Sequence, residues 1–143
     1  MTDLSTLRDI AERLERAEGP DKLLDCSIAL LGGILNPPPL LSGRVMVSEL
    51  GDGLVCVEED GMRHYYPAPE VTTSLDAAIA FTEAVLPKKH VRQTTRMKDG
   101  SYAALVYGDS FREEVADDNE CVALLTAVIR ALIAIEEQKE QAA

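Results

Sequence analysis

The residues with the clearest potential for chemistry form a basic strip within an acidic chain. Residues 88–98, KKHVRQTTRMK, contain five Lys or Arg side chains and no acid, although the 143-residue chain has a formal net charge of −11. Arginine suits bidentate contacts with phosphate or carboxylate groups, and a tyrosine ring can stack on a ligand. The strip therefore predicts an anion-binding surface, built from five side chains: Lys88, Lys89, Arg92, Arg96 and Tyr107.

Two other interpretations of this strip remain open. Its cations could pair with the acidic segment 109–120, which contains six acids and Arg112. They could instead protect an exposed sheet edge from pairing with another chain. Runs of charge are usually solvated surfaces, so these two interpretations together are favoured over a ligand site.

No motif in the sequence specifies catalysis. A Gly-rich phosphate loop, a nucleophile elbow and an HExxH pattern are all missing. His64 lies close to Glu58, Glu59 and Asp60 across a predicted turn, where a metal ion or an acid–base pair can be imagined. A half-exposed strand histidine is the more common situation. The sequence therefore predicts no enzymatic activity, no cofactor and no metal.

Composition places the chain among ordinary globular domains. Hydrophobic residues make up 46% and charged residues 27% of a chain of single-domain length. The negative charge disfavours direct binding to nucleic acids or to anionic membranes. The three cysteines are scattered and odd in number, which indicates buried thiols in a reducing, cytoplasmic setting. The N-terminal residues lack the apolar core of a signal peptide.

The order of the predicted helices and strands indicates an α+β fold, with an antiparallel sheet of about five strands layered with four helices as an α-β-α sandwich. Apolar periodicity places the helices at 3–17, 21–31, 73–86 and about 117–138. The single domain, 1–143, divides into a helical pair at 1–35, a Pro-rich connector at 36–43, a β meander at 44–66, a helix at 73–86, a hairpin at 90–107 and a C-terminal helix at 117–138.

Two Asp-Gly pairs predict two-residue hairpin turns. Around Asp60-Gly61, this turn places Glu58 opposite Arg63, Val57 opposite His64 and Cys56 opposite Tyr65.

Around Asp99-Gly100, the same turn type places Met97 opposite Tyr102 and Thr95 opposite Ala104. Arg92 and Arg96 then share a face with three residues of the next strand, Ala103, Leu105 and Tyr107.

Helix starts are predicted from capping residues. Thr2 is expected to cap the first helix, Thr73 the third and Asp117 the last. The tail after Ile135 is expected to fray.

The last helix is apolar almost all round, with Thr126 and Arg130 as its polar exceptions over residues 121–135. Such a helix either lies at the centre of the core or packs against something on two sides. If Arg130 faces a second subunit, Thr126 and Arg130 belong to a homodimer interface. If Arg130 faces solvent, the helix is an ordinary core element.

Four segments, in order and spacing, resemble the phage ABA sandwich domain family, a group of small bacteriophage and prophage proteins. The resemblance covers about residues 7–134, and this chain departs from it in lacking Trp and in its Pro-rich connector and first meander. It implies a helix–sheet–helix sandwich, a phage or prophage source and no catalytic residues. The segments are RLERAEGPDKLLDCSIALLGG, TTSLDAAIAFTEAVLP, KDGSYAALVYG and CVALLTAVIRALIA.

Three functions follow as hypotheses. The first is a non-catalytic phage accessory protein in the host cytoplasm that binds, and thereby inhibits, a host protein such as a defence factor. The second is a sponge that sequesters an anionic nucleotide messenger through the basic strip. The third is an enzyme, which the missing motifs disfavour.

Overall fold

A computed structural model of the chain describes residues 4–17, 21–32, 44–47, 54–59 and 61–142. The predicted connector at 36–43 and the predicted cap at Thr2 lie outside these residues. The described elements, in chain order, are α1 (Leu4–Glu15), α2 (Lys22–Gly32), β1 (Arg44–Val47), β2 (Leu54–Glu59), β3 (Met62–Pro67), α3 (Leu75–Val85), β4 (Val91–Arg96), β5 (Tyr102–Tyr107), β6 (Arg112–Asp117) and α4 (Glu120–Ala142).

The fold is α+β with antiparallel strands, as predicted, but the strands form two sheets. One sheet has the order β1-β2-β3 and the other the order β4-β5-β6. The expectation of about five strands is close to the six that are described, but the expectation of a single sheet is wrong. Local turns specify which neighbouring strands pair, whereas the joining of distant strand edges depends on tertiary packing. Here α3 separates β3 from β4 along the chain, and the described edges of the two hairpins do not pair.

The register of the first hairpin is confirmed. Glu58 pairs with Arg63, Val57 with His64 and Cys56 with Tyr65. The last ladder pair joins Glu59 to Met62, which leaves a two-residue loop. Gly61 in that loop has φ +76°, a conformation that glycine adopts without steric cost.

The register of the second hairpin is shifted by one residue from the prediction. Arg96, rather than Met97, lies opposite Tyr102. The cause is a three-residue loop: the N–H of Met97 donates to the carbonyl of Ser101 over 2.8 Å, and the N–H of Gly100 donates to the carbonyl of Met97 over 3.1 Å. Gly100 has φ +90°. The three-residue loop therefore consists of a β-turn over residues 97–100 that ends on a left-handed glycine, a common alternative to the two-residue turn.

Part of the segment expected to be an acidic loop is strand β6. Val115 of β6 is buried, and Phe111 just before the strand is 7% exposed. Gly108 makes room for that ring, because a Cβ at Gly108 would lie 2.7 Å from Cε1 of Phe111. The sequence did not indicate this strand, because the segment contains many acids and only two of its inward positions carry large apolar side chains.

Helix α4 lies at the centre of the molecule. All residues from Cys121 to Ile129 are buried, and α4 packs against β5, β6, α1 and α3. This all-round burial explains the all-round apolar sequence and confirms the central-helix alternative. The apolar stripe of α1 packs against α4, and its buried residues are Leu4, Leu7, Ile10 and Leu14.

The observed helix caps lie close to the predicted ones without coinciding. Ser74, not Thr73, caps α3 by accepting a hydrogen bond from the N–H of Ala77 over 3.2 Å. Asn119, not Asp117, accepts from the N–H of Val122 at the start of α4. Each is the last non-helical residue before its helix, where the free N–H groups of the first turn need an acceptor.

The C-terminal tail, predicted to fray, continues α4 to Ala142. Two contacts hold it to the rest of the domain: an ion pair of 3.2 Å between Arg8 and Glu137, and a hydrogen bond of 2.7 Å from Gln138 to the carbonyl of Ser110.

Candidate functional site: the basic edge of the second sheet

The basic strip lies on β4, at one edge of the β4-β5-β6 sheet. Side chains that lie directly opposite one another in a ladder point to the same face. Because Arg92 pairs with Val106 and Thr94 with Ala104, the arginines of β4 point to the face that packs on α4. Val106 and Ala104 fill the core at that face, while the arginines lie at its border.

Tyr107 is not beside these arginines. It pairs with Val91, so its ring points to the opposite face of the sheet, away from α4. The one-residue register shift is the reason, since such a shift moves a side chain to the other face. The predicted arrangement, with Tyr107 stacking on an anion held by Arg92 and Arg96, is therefore wrong in its geometry.

Arg92 is held by an acid of α3. Its Nε donates to Oε1 of Glu83 over 3.0 Å, and Nε2 of His90 lies 3.4 Å from the same oxygen. The hydrogen bond from Arg92 lowers the pKa of the Glu83 carboxyl, and His90 adds to this effect. The His90 side chain is 4% exposed, and its Nδ1–H donates to the carbonyl of Pro87 over 2.6 Å. The Arg92 side chain thus links β4 to α3.

The remaining cations of the strip are exposed, and none of them has an ion-pair partner among the described residues. Two of them precede β4, one lies on β4 and one follows it. We call this group the basic edge; its members are Lys88, Lys89, Arg96 and Lys98.

Among the described residues, the acids of residues 109–120 form no ion pair with the basic edge. Those on β6 are separated from β4 by the whole of β5, a distance of about 10 Å at the usual strand spacing. Between the two segments, the Thr94 hydroxyl donates a hydrogen bond to Oε1 of Glu120 over 2.9 Å. The geometry agrees better with the other interpretation, in which charges blunt a sheet edge.

One depression among the described residues adjoins the basic edge. The depression beside the β4–β5 loop is open to solvent, and Lys98 is the member of the basic edge that lines it, with Met97, Ala103 and Ala116. Sites for small molecules are usually concave and bury most of the ligand. The surface is better suited to an extended partner than to an enclosed nucleotide.

His64 lies on an exposed part of β3. In the ladder His64 is the partner of Val57, whereas Glu58 is the partner of Arg63 and forms an ion pair of 3.4 Å with it. Within the described ranges, no group of three or more His, Cys, Asp or Glu side chains could hold a metal ion.

Thr126 and Arg130, proposed for a dimer interface, are engaged within the chain. Thr126 is 4% exposed in the core, and Arg130 forms an ion pair of 3.3 Å with Glu15 of α1. Thr126 is therefore not accessible to a partner chain, whereas the Arg130 side chain is 40% exposed.

One buried carboxyl was not singled out in the sequence. Asp25 is 4% exposed, and it accepts hydrogen bonds from the N–H and the hydroxyl of Thr72 at 2.9 and 2.8 Å. Burial raises the pKa of Asp25, although the bonds from Thr72 act in the opposite direction. Since both groups are satisfied by each other, this pair ties α2 to the segment before α3.

All three cysteines are buried, which confirms the prediction of buried thiols. Burial raises the pKa of Cys121, so this thiol is less easily ionised than an exposed one. In the part of the chain that the structure describes, no helix is both long enough and apolar enough to cross a bilayer.

The comparisons with known proteins give no family for this chain. It matches no protein-family model, and neither curated proteins nor solved structures show a significant similarity to it.

Proposed function

We propose that this protein is a non-catalytic binding protein that engages an acidic segment of another protein along β4. The observation that supports this most directly is the open edge of β4 combined with four exposed, unpaired cations in the described structure. An open edge offers main-chain N–H and C=O groups to an added strand. The basic edge favours an acidic strand and raises its association rate.

The resemblance of the sequence to the phage ABA sandwich domain family supplies the biological setting of this proposal. In that setting the protein is a phage-encoded accessory protein in the cytoplasm of the host. Its partner is a host protein, such as a defence factor, which it inhibits by occupying a binding surface.

A protein partner is preferred to a small nucleotide for two geometric reasons. Arg92 is already bound to Glu83, and Tyr107 lies on the other face of the sheet from Arg96. The candidate ligand side chains therefore do not converge on one point, as recognition of a small anion requires.

The test is a comparison of two matched double variants. Lys88→Glu/Lys98→Glu reverses two cations of the basic edge, and Lys22→Glu/Lys139→Glu reverses two exposed lysines on helices α2 and α4. Both variants change the formal charge equally. Each is used to capture partners from a bacterial host lysate, and captured proteins are identified by mass spectrometry and then measured by calorimetry at two salt concentrations.

We expect one acidic partner to bind the wild type and the helix variant and to be lost by the basic-edge variant, with affinity falling as salt rises. Equal binding by both variants would contradict the proposal. So would a nucleotide-sized adduct in native mass spectrometry that Arg92→Ala/Arg96→Ala abolishes, since that result favours the sponge.

A further inference from the structure

The β4-β5-β6 sheet has a second surface, on the side away from α4. The ladders place nine side chains there, in three rows that cross the strands. We call this surface the outer face. Its rows are Val91–Tyr107–Arg112, Gln93–Leu105–Glu114 and Thr95–Ala103–Ala116.

The centre of the outer face is apolar, although it faces solvent. The central strand β5 contributes Ala103, Leu105 and Tyr107, and the Tyr107 side chain is accompanied by Val91 of β4; these two residues are 38% and 45% exposed. A sheet face that remains in water normally carries polar side chains along its central strand. An apolar centre with a polar border is instead the usual anatomy of a protein interface.

The charges of the outer face have an order that is complementary to itself. Arg112 and Glu114 lie two residues apart on β6, both exposed, and neither forms an ion pair with any described residue. A two-fold axis crossing the strands midway between their two rows would exchange these rows. It would place Arg112 opposite the partner's Glu114 and Glu114 opposite the partner's Arg112.

The same axis would bring together the largest apolar side chains. Tyr107 would lie opposite the partner's Leu105, and Leu105 opposite the partner's Tyr107. Each contact would therefore occur twice, which is the property of an isologous two-fold interface. The strands of the two sheets would run within about 30° of one another, as in aligned sheet packing.

We propose that the outer face is a homodimer interface, in which the β4-β5-β6 sheets of two copies pack face to face. This arrangement places β4 over the partner's β4, so two basic edges lie on the same side. Arg92 and Arg96 point away from the interface, however, and are separated from their counterparts by more than the screening length of about 8 Å in physiological salt.

The proposed dimer is weak. Three strands of six residues cover about 300 Å² in projection, well below the roughly 800 Å² per partner of a standard stable interface. We therefore expect an equilibrium that depends on protein concentration. This inference does not rest on the proposed function, since it concerns another surface and is read from molecular mass rather than from partner binding.

The test is sedimentation analysis of the full chain from about 1 μM to 1 mM, the range in which a weak dimer dissociates. Glu114→Arg and Arg112→Glu each place like charges opposite one another at two positions. Each should weaken dimerisation about tenfold, as expected for two reversed ion pairs. The double variant Arg112→Glu/Glu114→Arg exchanges the two charges and should restore the wild-type dimer. Glu140→Arg, near the end of α4, is the control for Glu114→Arg.

A wild-type chain that stays monomeric at 1 mM (about a thousandfold above the starting concentration) would overturn the proposal. A dimer that the single variants leave intact would also overturn it, because the chains would then meet through another surface. Failure of the double variant to restore the dimer, with its thermal unfolding unchanged, would exclude the proposed pairing of Arg112 with the partner's Glu114. Leu105→Ser, which carries no charge change, should weaken the dimer by itself; an unchanged dimer would contradict the apolar contact.

Discussion

The hairpins β2–β3 and β4–β5 both turn at an Asp-Gly pair, yet they differ in loop length and in burial. The first has a two-residue loop, and the second a three-residue loop. Residues 62–65 of β3 are exposed, whereas Ala104 and Val106 of β5 are fully buried against α4. The comparison shows that an Asp-Gly pair specifies the position of a turn. Whether the side chains of the adjoining strands are buried depends instead on what packs against those strands.

The largest expected effect comes from the difference in burial. Val106→Ala should destabilise the protein by about 2 kcal/mol, because it removes two buried methyl groups and leaves a cavity. Met62→Ala is the matched change on the first hairpin, and since Met62 is 63% exposed, it should alter stability by less than about 0.5 kcal/mol. Urea unfolding of both variants measures the difference; similar losses would mean that the two hairpins contribute equally to the core.

The two turn glycines should respond alike. Gly61 and Gly100 have φ of +76° and +90°, and a Cβ at either position would meet nothing within 4 Å. Substitution by Ala therefore tests the backbone conformation alone, and each should cost about 1 kcal/mol. Substitution by Asn should cost less, because Asn tolerates this region.

Thermal or urea unfolding of the four variants provides the measurement. A loss at Gly100 several times that at Gly61 would show that the second turn carries a constraint beyond its φ angle.

A smaller effect should distinguish the turns by pH. Hydrogen bonds from the Ser101 hydroxyl, at 2.6 Å, and from the Ser101 N–H, at 2.9 Å, lower the pKa of Asp99. An acid whose pKa is lowered on folding stabilises the fold above its unfolded pKa, and this contribution is lost as pH falls through the folded pKa. Asp99→Asn should therefore reduce the loss of stability in acid, measured as melting temperature against pH.

Ser101→Ala is the control for this pH effect, since it removes the hydroxyl bond and keeps the N–H bond. It should reduce the pH effect in part. Identical acid profiles for the wild type and Asp99→Asn would contradict a role of the turn carboxylate.

The smallest effect is expected from making the second loop like the first. Deletion of Lys98 leaves Asp99-Gly100 as a two-residue loop between Met97 and Ser101, which already pair. The register should be unchanged, because any slip would turn Ala104 and Val106 away from the core. Cross-strand contacts between Arg96 and Tyr102 in nuclear magnetic resonance spectra would confirm this, and a pairing of Arg96 with Ala103 would contradict it.

Much of the fold could be predicted from local pattern. The four helices, the first hairpin and its register, the buried cysteines and the central position of α4 follow from periodicity and turn residues. Strand β6 could not be recognised, since its acids outnumber its inward apolar side chains. The division into two sheets could not be predicted either, because no local sequence pattern indicates whether β3 and β4 pair with each other.

The candidate site was predicted in composition but not in geometry. The sequence identified the cations of residues 88–98 and the alternation that orders them. The loop has one residue more than expected, and this places Tyr107 on the other face of the sheet. Glu83 forms an ion pair with Arg92, but it belongs to α3 and no sequence pattern connected it with the strip. The outer face was missed because Arg112 and Glu114 belong to the strand that was not recognised.

The sequence by itself determined the four helices, the strands other than β6 and the distribution of charge, because periodicity, turn residues and ionisable side chains act over a few residues. Only the tertiary structure decided which cations lack an ion-pair partner among the described residues and which sheet face remains uncovered there. Those properties depend on whether strands and helices distant in sequence meet, and that is settled by burial of the whole core around α4 rather than by any one segment.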